Sequence, residues 1–195
     1  TTSSYDGRSV TTSIDSNGDG VFDEVMTRIE DDAGVMTTTT SRFDADGTTL
    51  QSSTTATTSA NGLLSSVTED SDGDGTVDLI MSESTTLEAD GGSLSVTEDQ
   101  DRLGNAYSVA PTHTTADGRT VTQTNDYDAD GTIDLSVVTD KDLSLDGIET
   151  QTVTRTAADL STIGLLTVVT SADKRLVTTT NDVDGNGFND IETVF

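Results

Sequence analysis

Two short motifs recur in register along the chain, and this repetition restricts the fold more than any other feature. A turn motif begins at Ser4, Ser59, Thr115 and Ser171, at intervals of 55, 56 and 56 residues. An acidic stretch follows each start at the same distance. Self-similarity at a fixed period is the signature of repeat architectures. We therefore predict one repeat array over 1–195, with repeats 4–58, 59–114 and 115–170 and a half repeat 171–195.

The residues between the turns favour strands. The chain contains 39 Thr and 21 Ser among 195 residues, and Thr is enriched in strands. Runs such as 35–43 and 149–156 alternate partly with a period of two, and Asp-Gly turns separate them. We predict an all-β fold, an antiparallel β-meander repeat array with four strands per repeat and an acidic loop between the first two. An elongated sandwich or rod is favoured, and a β-propeller is the alternative.

Composition narrows the class of protein. The formal net charge is −27, from 36 acidic and 9 basic residues, and 31% of the residues are hydrophobic. This charge disfavours nucleic acid as a partner. No apolar run is long enough to span a bilayer, so we expect no membrane insertion. The low apolar content predicts a thin core at most. A disordered Thr-rich stalk is the alternative that such a composition suggests, but phased turns argue against it.

The four acidic stretches share one pattern, Asp-x-(Asp/Asn)-x-(Asp/Asn)-Gly-x-x-Asp. Positions 1, 3, 5 and 9 supply side-chain oxygens, and the backbone carbonyl of position 7 supplies another. The candidate ligands at positions 1, 3, 5, 7 and 9 are Asp15, Asn17, Asp19, Val21 and Asp23 in the first loop; Asp70, Asp72, Asp74, Thr76 and Asp78 in the second; Asp126, Asp128, Asp130, Thr132 and Asp134 in the third; and Asp182, Asp184, Asn186, Phe188 and Asp190 in the fourth.

This spacing predicts Ca²⁺ as the cofactor, about four ions in all. Calcium takes six to eight oxygens, whereas Mg²⁺ prefers few carboxylates and retained water. The loops are EF-hand-like but incomplete, because position 12 never holds the bidentate Glu. The similar stretch 44–47 lacks the first and last ligands, Arg42 and Leu50 standing in their places, so we interpret it as a plain turn.

The loops and the Ser-Ala-Asp-Gly-like turns resemble the tandem calcium-binding repeats of very large secreted bacterial proteins of the RTX-like and adhesin-like kind. The loops alone are also similar to those of FG-GAP and VCBS propeller blades and of dockerins. The resemblance implies an extracellular, secreted or cell-surface calcium-binding module in a modular structural protein, and it implies no chemistry. The glycine-rich nonapeptide of true RTX β-rolls is missing, so that fold is not implied.

Calcium would supply the cohesion that the composition lacks. If each site has a dissociation constant near 10⁻⁵ M, millimolar calcium stabilises the fold by about 2.7 kcal/mol per site. We therefore expect a structural module whose folding is driven by Ca²⁺, as in a fibre or surface layer. We expect the chain to be a segment of something longer and its partners to be neighbouring repeats, or other copies bound through edge strands.

Two other functions compete with this one. A ligand-binding adhesin module on the same scaffold, with a surface glycan or a protein as ligand, is the rival; its aromatic residues, such as Tyr107 and Tyr127, are few and scattered. An enzyme is disfavoured, because His113 is the only histidine and active sites are singular whereas these loops recur. We expect no catalytic residues.

Overall fold

The computed structural model describes all of residues 1–195 and contains strands and turns but no helix. None of its elements is therefore a helix of the length and apolarity needed to cross a bilayer. The fifteen strands are β1 (Thr2–Ser3), β2 (Ser9–Ile14), β3 (Glu24–Glu30), β4 (Met36–Phe43), β5 (Leu50–Thr58), β6 (Leu64–Asp70), β7 (Leu79–Leu87), β8 (Ser93–Asp101), β9 (Ala106–Thr114), β10 (Thr120–Asn125), β11 (Leu135–Leu143), β12 (Glu149–Ala157), β13 (Thr162–Thr170), β14 (Val177–Asp182) and β15 (Ile191–Val194).

The strands form one open meander. Their order in the sheet follows their order in the chain, from β1 to β15, and the pairs with a described register are antiparallel. The prediction of an all-β antiparallel meander is confirmed. The strands close into neither a barrel nor a propeller, and they belong to a single sheet rather than to the two layers of a sandwich.

Strands and repeats share their boundaries. The ranges 4–58, 59–114 and 115–170 each contain four strands, β2–β5, β6–β9 and β10–β13, and 171–195 contains β14 and β15. By contact density the chain divides into two compact units, Thr1–Thr85 with Thr97–Tyr107 and Thr86–Val96 with Ser108–Phe195. The first unit holds the first two acidic loops, and the second unit holds the other two.

Threonine pairing explains why these sequences form strands. In the first unit a row of facing threonines crosses the five strands β2–β6. It consists of Thr11, Thr27, Thr39, Thr55 and Thr68, each opposite the next. Facing side chains of neighbouring strands are the unit of sheet stabilisation, and Thr–Thr pairs are favourable. The hydroxyls of Thr39 and Thr55 are 3.2 Å apart.

The sheet has no hydrophobic core. No hydrophobic side chain is buried, and the only buried polar residues are Asp70 and Asp182. The thin core predicted from composition is therefore absent, because a single layer leaves both of its faces open to water. Most strand residues are half-buried, covered only by neighbours on the same face.

The turn motif builds the same hydrogen-bonded hairpin in each repeat. In the third repeat, the Thr115 hydroxyl donates to Asp117 at 2.8 Å and accepts the backbone N–H of Thr120 at 3.1 Å. Asp117 also accepts the N–H of Arg119. Equivalent bonds close the turns that begin at Ser4, Ser59 and Ser171. In each pair the hydroxyl donates to a carboxylate, or in the second repeat to the side-chain amide oxygen of Asn61, and these pairs mark where each repeat begins.

Candidate calcium loops

Each acidic loop connects the first and second strands of its repeat, joining β2 to β3, β6 to β7, β10 to β11 and β14 to β15. In an antiparallel meander every second connection lies at the same end of the strands. The two acidic loops of one compact unit therefore lie at the same end, separated by four strands. At a strand separation of about 4.8 Å this is roughly 19 Å.

The aspartate at position 1 organises each loop around its own carboxylate. Asp70 accepts the N–H of Gly73 at 2.7 Å on one oxygen and that of Gly75 at 2.9 Å on the other. Asp182 accepts N–H groups of Asn186 and Gly187 in the same way, at 3.2 and 2.8 Å. These two side chains are only 5% and 3% exposed. The loop backbone thus wraps around a carboxylate that has further lone pairs to offer.

The aspartate at position 9 closes the loop from the start of the next strand. In every loop it accepts the backbone N–H of position 2, at 2.7 Å for Asp23 and 2.9 Å for Asp78. In the first two loops position 2 is a serine, Ser16 or Ser71, whose hydroxyl donates to the same oxygen. The hydroxyl bond, with the backbone bond second, lowers the pKa of Asp23 and that of Asp78. Both groups therefore stay ionised to lower pH.

Three of the loops gather carboxylates tightly enough to hold one ion. The residues at positions 1, 3 and 9 each place a ligand oxygen within 4.8 Å of the others'. We call these groups the carboxylate triads: Asp70, Asp72 and Asp78; Asp126, Asp128 and Asp134; and Asp182, Asp184 and Asp190.

The first loop differs because Asn17 replaces an aspartate at position 3. Its side-chain amide donates to Asp23 at 3.3 Å, and its carbonyl oxygen accepts the N–H of Asp19 at 2.8 Å. No group of three carboxylates forms in this loop. The first loop keeps the hydrogen bonds at position 1, since Asp15 accepts the N–H groups of Gly18 and Gly20.

A hydrogen bond within each loop also links positions 5 and 7. The side-chain oxygen of position 5 accepts the backbone N–H of position 7 in all four loops. The pairs are Asp19 with Val21 at 2.8 Å, Asp74 with Thr76 at 2.7 Å, Asp130 with Thr132 at 2.7 Å, and Asn186 with Phe188 at 2.8 Å.

No basic side chain neutralises the triads by ion pairing. The salt bridges of the chain involve other acids, such as Glu24, Glu88 and Glu149. Each triad therefore concentrates three carboxylates without an ion-paired cation. Hard oxygen donors are the kind of ligand that divalent cations such as calcium take, so each triad could hold a metal ion and supply part of its ligand shell.

The second and fourth loops lie in close contact with the last strand of the preceding repeat. A Cβ on Gly73 would lie 2.1 Å from the carbonyl oxygen of Leu50, and one on Gly185 would lie 2.0 Å from that of Thr162. Both glycines occupy position 4 and have positive φ, 72° and 71°. The glycine there lets the second and fourth loops rest on the last strand of the preceding repeat. The third loop has Ala129 at this position, with φ 54°.

Comparison of the chain with protein-family models, curated proteins and solved structures gave no match. The resemblance to secreted calcium-binding repeats therefore stays an expectation from the loop and turn motifs.

Sequence reasoning missed the serines at position 2 and the close approach of position 4. The serine signal was present, since Ser16 and Ser71 stand at the same place in two loops. The contact of Gly73 with Leu50 could not be read from the sequence, because it depends on how neighbouring hairpins are staggered. His113 lies on β9 with its Nε2 2.9 Å from a Glu88 carboxylate oxygen.

Proposed function

We propose that this chain is a calcium-binding structural module, in which Ca²⁺ at the hairpin loops stabilises a sheet that has no hydrophobic core. The carboxylate triads carry the proposal, because they recur at the same place in the second repeat, the third repeat and the half repeat, and no ion pair of the chain includes them. Positions 1, 3 and 9 would hold the ion, and calcium would supply the positive charge that joins the first strand of a repeat to the second.

The electrostatics favour one independent ion per loop. The two acidic loops of one compact unit are about 19 Å apart. This distance exceeds the Debye length of about 8 Å at physiological ionic strength. Repulsion between loops is therefore screened, whereas repulsion within a triad is not. Each ion would relieve the repulsion in its own loop, and we expect binding with little cooperativity of electrostatic origin.

The setting that suits such a module is extracellular, either secreted or on the cell surface, as part of a fibre or surface layer. Calcium near millimolar concentration would fill sites with a dissociation constant of about 10⁻⁵ M, whereas submicromolar cytosolic calcium would leave them almost unfilled. Repeats stacked into a rod would place calcium loops at regular intervals along an edge. In this role the chain is structural and has no catalytic residues.

Calcium titration of the full chain by calorimetry, with circular dichroism melts in calcium and in EDTA, tests the proposal. We expect at least three bound ions and a higher melting temperature in calcium. An unchanged melting temperature together with the absence of binding heat would refute the proposal.

A pair of variants ties the ions to the triads. Asp128→Ala removes the position 3 carboxylate of the third loop, whose one hydrogen bond is a long one of 3.4 Å from the N–H of Asp130. We expect it to lose one bound ion. The control, Asp142→Ala, removes an exposed acid of β11 outside the triads and should keep the full stoichiometry. Equal losses in both variants would show that general acidity, rather than the triads, binds calcium.

The loops should differ in affinity. The second and third loops have carboxylates at positions 1, 3, 5 and 9, whereas Asn17 and Asn186 each replace one in the first and fourth loops. Ligand charge is one determinant of calcium affinity in such loops. We expect the second and third loops to fill first, as chemical-shift changes in residues such as Gly75 and Gly131 during an NMR titration would show. Filling of the first loop before these two would contradict this order.

A further inference from the structure

The two faces of the last six strands differ sharply in chemistry. Register places Val121 opposite Thr139, Thr139 opposite Val153, and Val153 opposite Leu166, so these residues line one face. Val168 follows on the same face, two residues beyond Leu166. We call this surface of β10–β15 the apolar face. None of its hydrophobic side chains is buried.

Charge is distributed unequally between these faces. The basic residues of β10–β15, Lys141 and Arg155, are both on the apolar face, since each lies two residues from Thr139 or Val153. Glu149 is the only acidic residue there. The other face carries the remaining acids of these strands, Asp140, Asp142, Asp182 and Glu192. Within a chain of net charge −27, the apolar face is therefore a region of slight positive charge.

The corresponding face of β2–β7 does not share this property. Register places Glu24, Glu30, Glu69 and Glu83 on the face that carries Val10. The basic residues Arg28 and Arg42 share that face, so the acids outnumber the bases by four to two. Two copies of that face would each bring a net negative charge to the contact. Two copies of the apolar face of β10–β15 would oppose mainly valine, leucine and threonine.

We infer that a second copy of this chain covers the apolar face of β10–β15, the two copies packing this face against itself. A sheet buries an apolar face against another layer, and two sheets pack about 10 Å apart with their inner side chains interdigitated. A twofold arrangement uses the same surface on both partners. This packing supplies the second layer that each chain lacks.

The area suffices for a specific complex. Six strands about 4.8 Å apart, each about seven residues long at about 3.4 Å per residue, cover roughly 600 Å² on each copy. The two copies together bury about 1,200 Å², at the lower limit for specific interfaces. Because the rest of the chain is strongly acidic, repulsion between copies opposes the contact, and raising the salt concentration should strengthen it.

Two adjacent valines of β13 provide matched variants. Val168 is on the apolar face, between Gln151 and Thr179, and Val169 is on the opposite face, between Thr150 and Thr178. Val168→Glu and Val169→Glu therefore make the same substitution on the same strand among uncharged neighbours. Sedimentation equilibrium of the full chain should show a dimer for the unaltered protein and for V169E. V168E should raise the dimer dissociation constant at least tenfold.

Several outcomes would overturn the inference: a monomer of 20.3 kDa for the unaltered chain up to about 100 μM, equal dissociation constants for the two variants, or assembly larger than a dimer that V168E leaves intact.

If V168E fails to fold by circular dichroism, single-cysteine variants replace it, because the chain has no cysteine of its own. V168C should then react with a thiol reagent more slowly than V169C at high protein concentration. Equal rates would overturn the inference too. Measurement in both calcium and EDTA separates this result from the calcium proposal, since a folded monomer in calcium refutes the interface alone.

Discussion

Position 4 of the acidic loops shows how a single residue can conflict with its backbone. Ala129 has φ 54°, whereas the glycines at this position in the other loops, Gly18, Gly73 and Gly185, are free of a Cβ penalty. An L-residue in the left-handed region costs about 1–2 kcal/mol, and the extra freedom of glycine in the unfolded chain offsets part of any gain. We expect Ala129→Gly to raise the free energy of unfolding by about 0.5–1 kcal/mol.

Chemical denaturation measures this change. Ala45→Gly is the control, since Ala45 lies in the turn between β4 and β5 without a positive φ. It should destabilise the fold slightly, because only the unfolded chain gains freedom. Destabilisation by Ala129→Gly would show that the alanine backbone is not strained.

Gly73 tests the contact between successive repeats. Replacing Gly18 or Gly73 by alanine costs a similar amount of backbone energy, since φ is 78° at Gly18 and 72° at Gly73. At Gly18 no atom lies within 4 Å of the new Cβ, but at Gly73 the Leu50 carbonyl oxygen lies 2.1 Å from it. A backbone oxygen cannot rotate away, and overpacking typically costs about 1–3 kcal/mol. We expect Gly73→Ala to be destabilised by at least 1 kcal/mol more than Gly18→Ala in the same denaturation assay. Equal losses would mean that the loop does not rest on β5.

At the scale of one element, the hairpin between β4 and β5 illustrates how a turn depends on a hydroxyl. Asp46 accepts the hydroxyl of Thr49 at 2.6 Å and the N–H groups of Thr49 and Thr48 at 2.8 Å. These bonds lower the pKa of Asp46 from 3.8 to about 2, and the bond from the Thr49 hydroxyl contributes most. Because the folded pKa lies below the unfolded one, the stabilisation is complete above pH 4 or so and is lost as the pH falls towards 2.

We therefore expect Thr49→Val to raise the pKa of Asp46 towards its ordinary value, as followed by NMR titration of the carboxyl carbon. Thr48→Val is the matched control, since the Thr48 side chain contributes least to the lowered pKa. A shift as large in Thr48→Val as in Thr49→Val would show that turn geometry, rather than the Thr49 hydroxyl, lowers the pKa.

The elements also show what the sequence could predict. Asp-Gly turns and Thr-rich runs predicted an antiparallel meander, because turn chemistry and β-propensity are local properties. The loop pattern predicted where acids would gather, and positions 1, 3 and 9 do so in three loops. The pattern alone did not reveal that Asp74 and Asp130 bond the backbone of position 7. Whether repeats close or stay open depends on the twist between strands, which no residue type encodes by itself.

The whole molecule is unusual in its energetics, because 195 residues fold without burying one hydrophobic side chain. The heat capacity of unfolding rises with the apolar surface exposed and falls with the polar surface exposed. Threonine hydroxyls and backbone amides form much of what this sheet covers. Backbone pairing, Thr rows and loop carboxylates must therefore supply the cohesion that a core supplies elsewhere.

We expect calorimetry of the monomeric chain in calcium to give a heat capacity of unfolding below about 10 cal/mol/K per residue, against about 12–15 for ordinary globular domains. V168E serves as the monomeric reference, because unaltered chain at high concentration would cover the apolar face with a second copy and give a higher value. A heat capacity of 12 or more for the monomer would mean that its apolar side chains leave water on folding, and the single-layer sheet would then be wrong for the protein in solution.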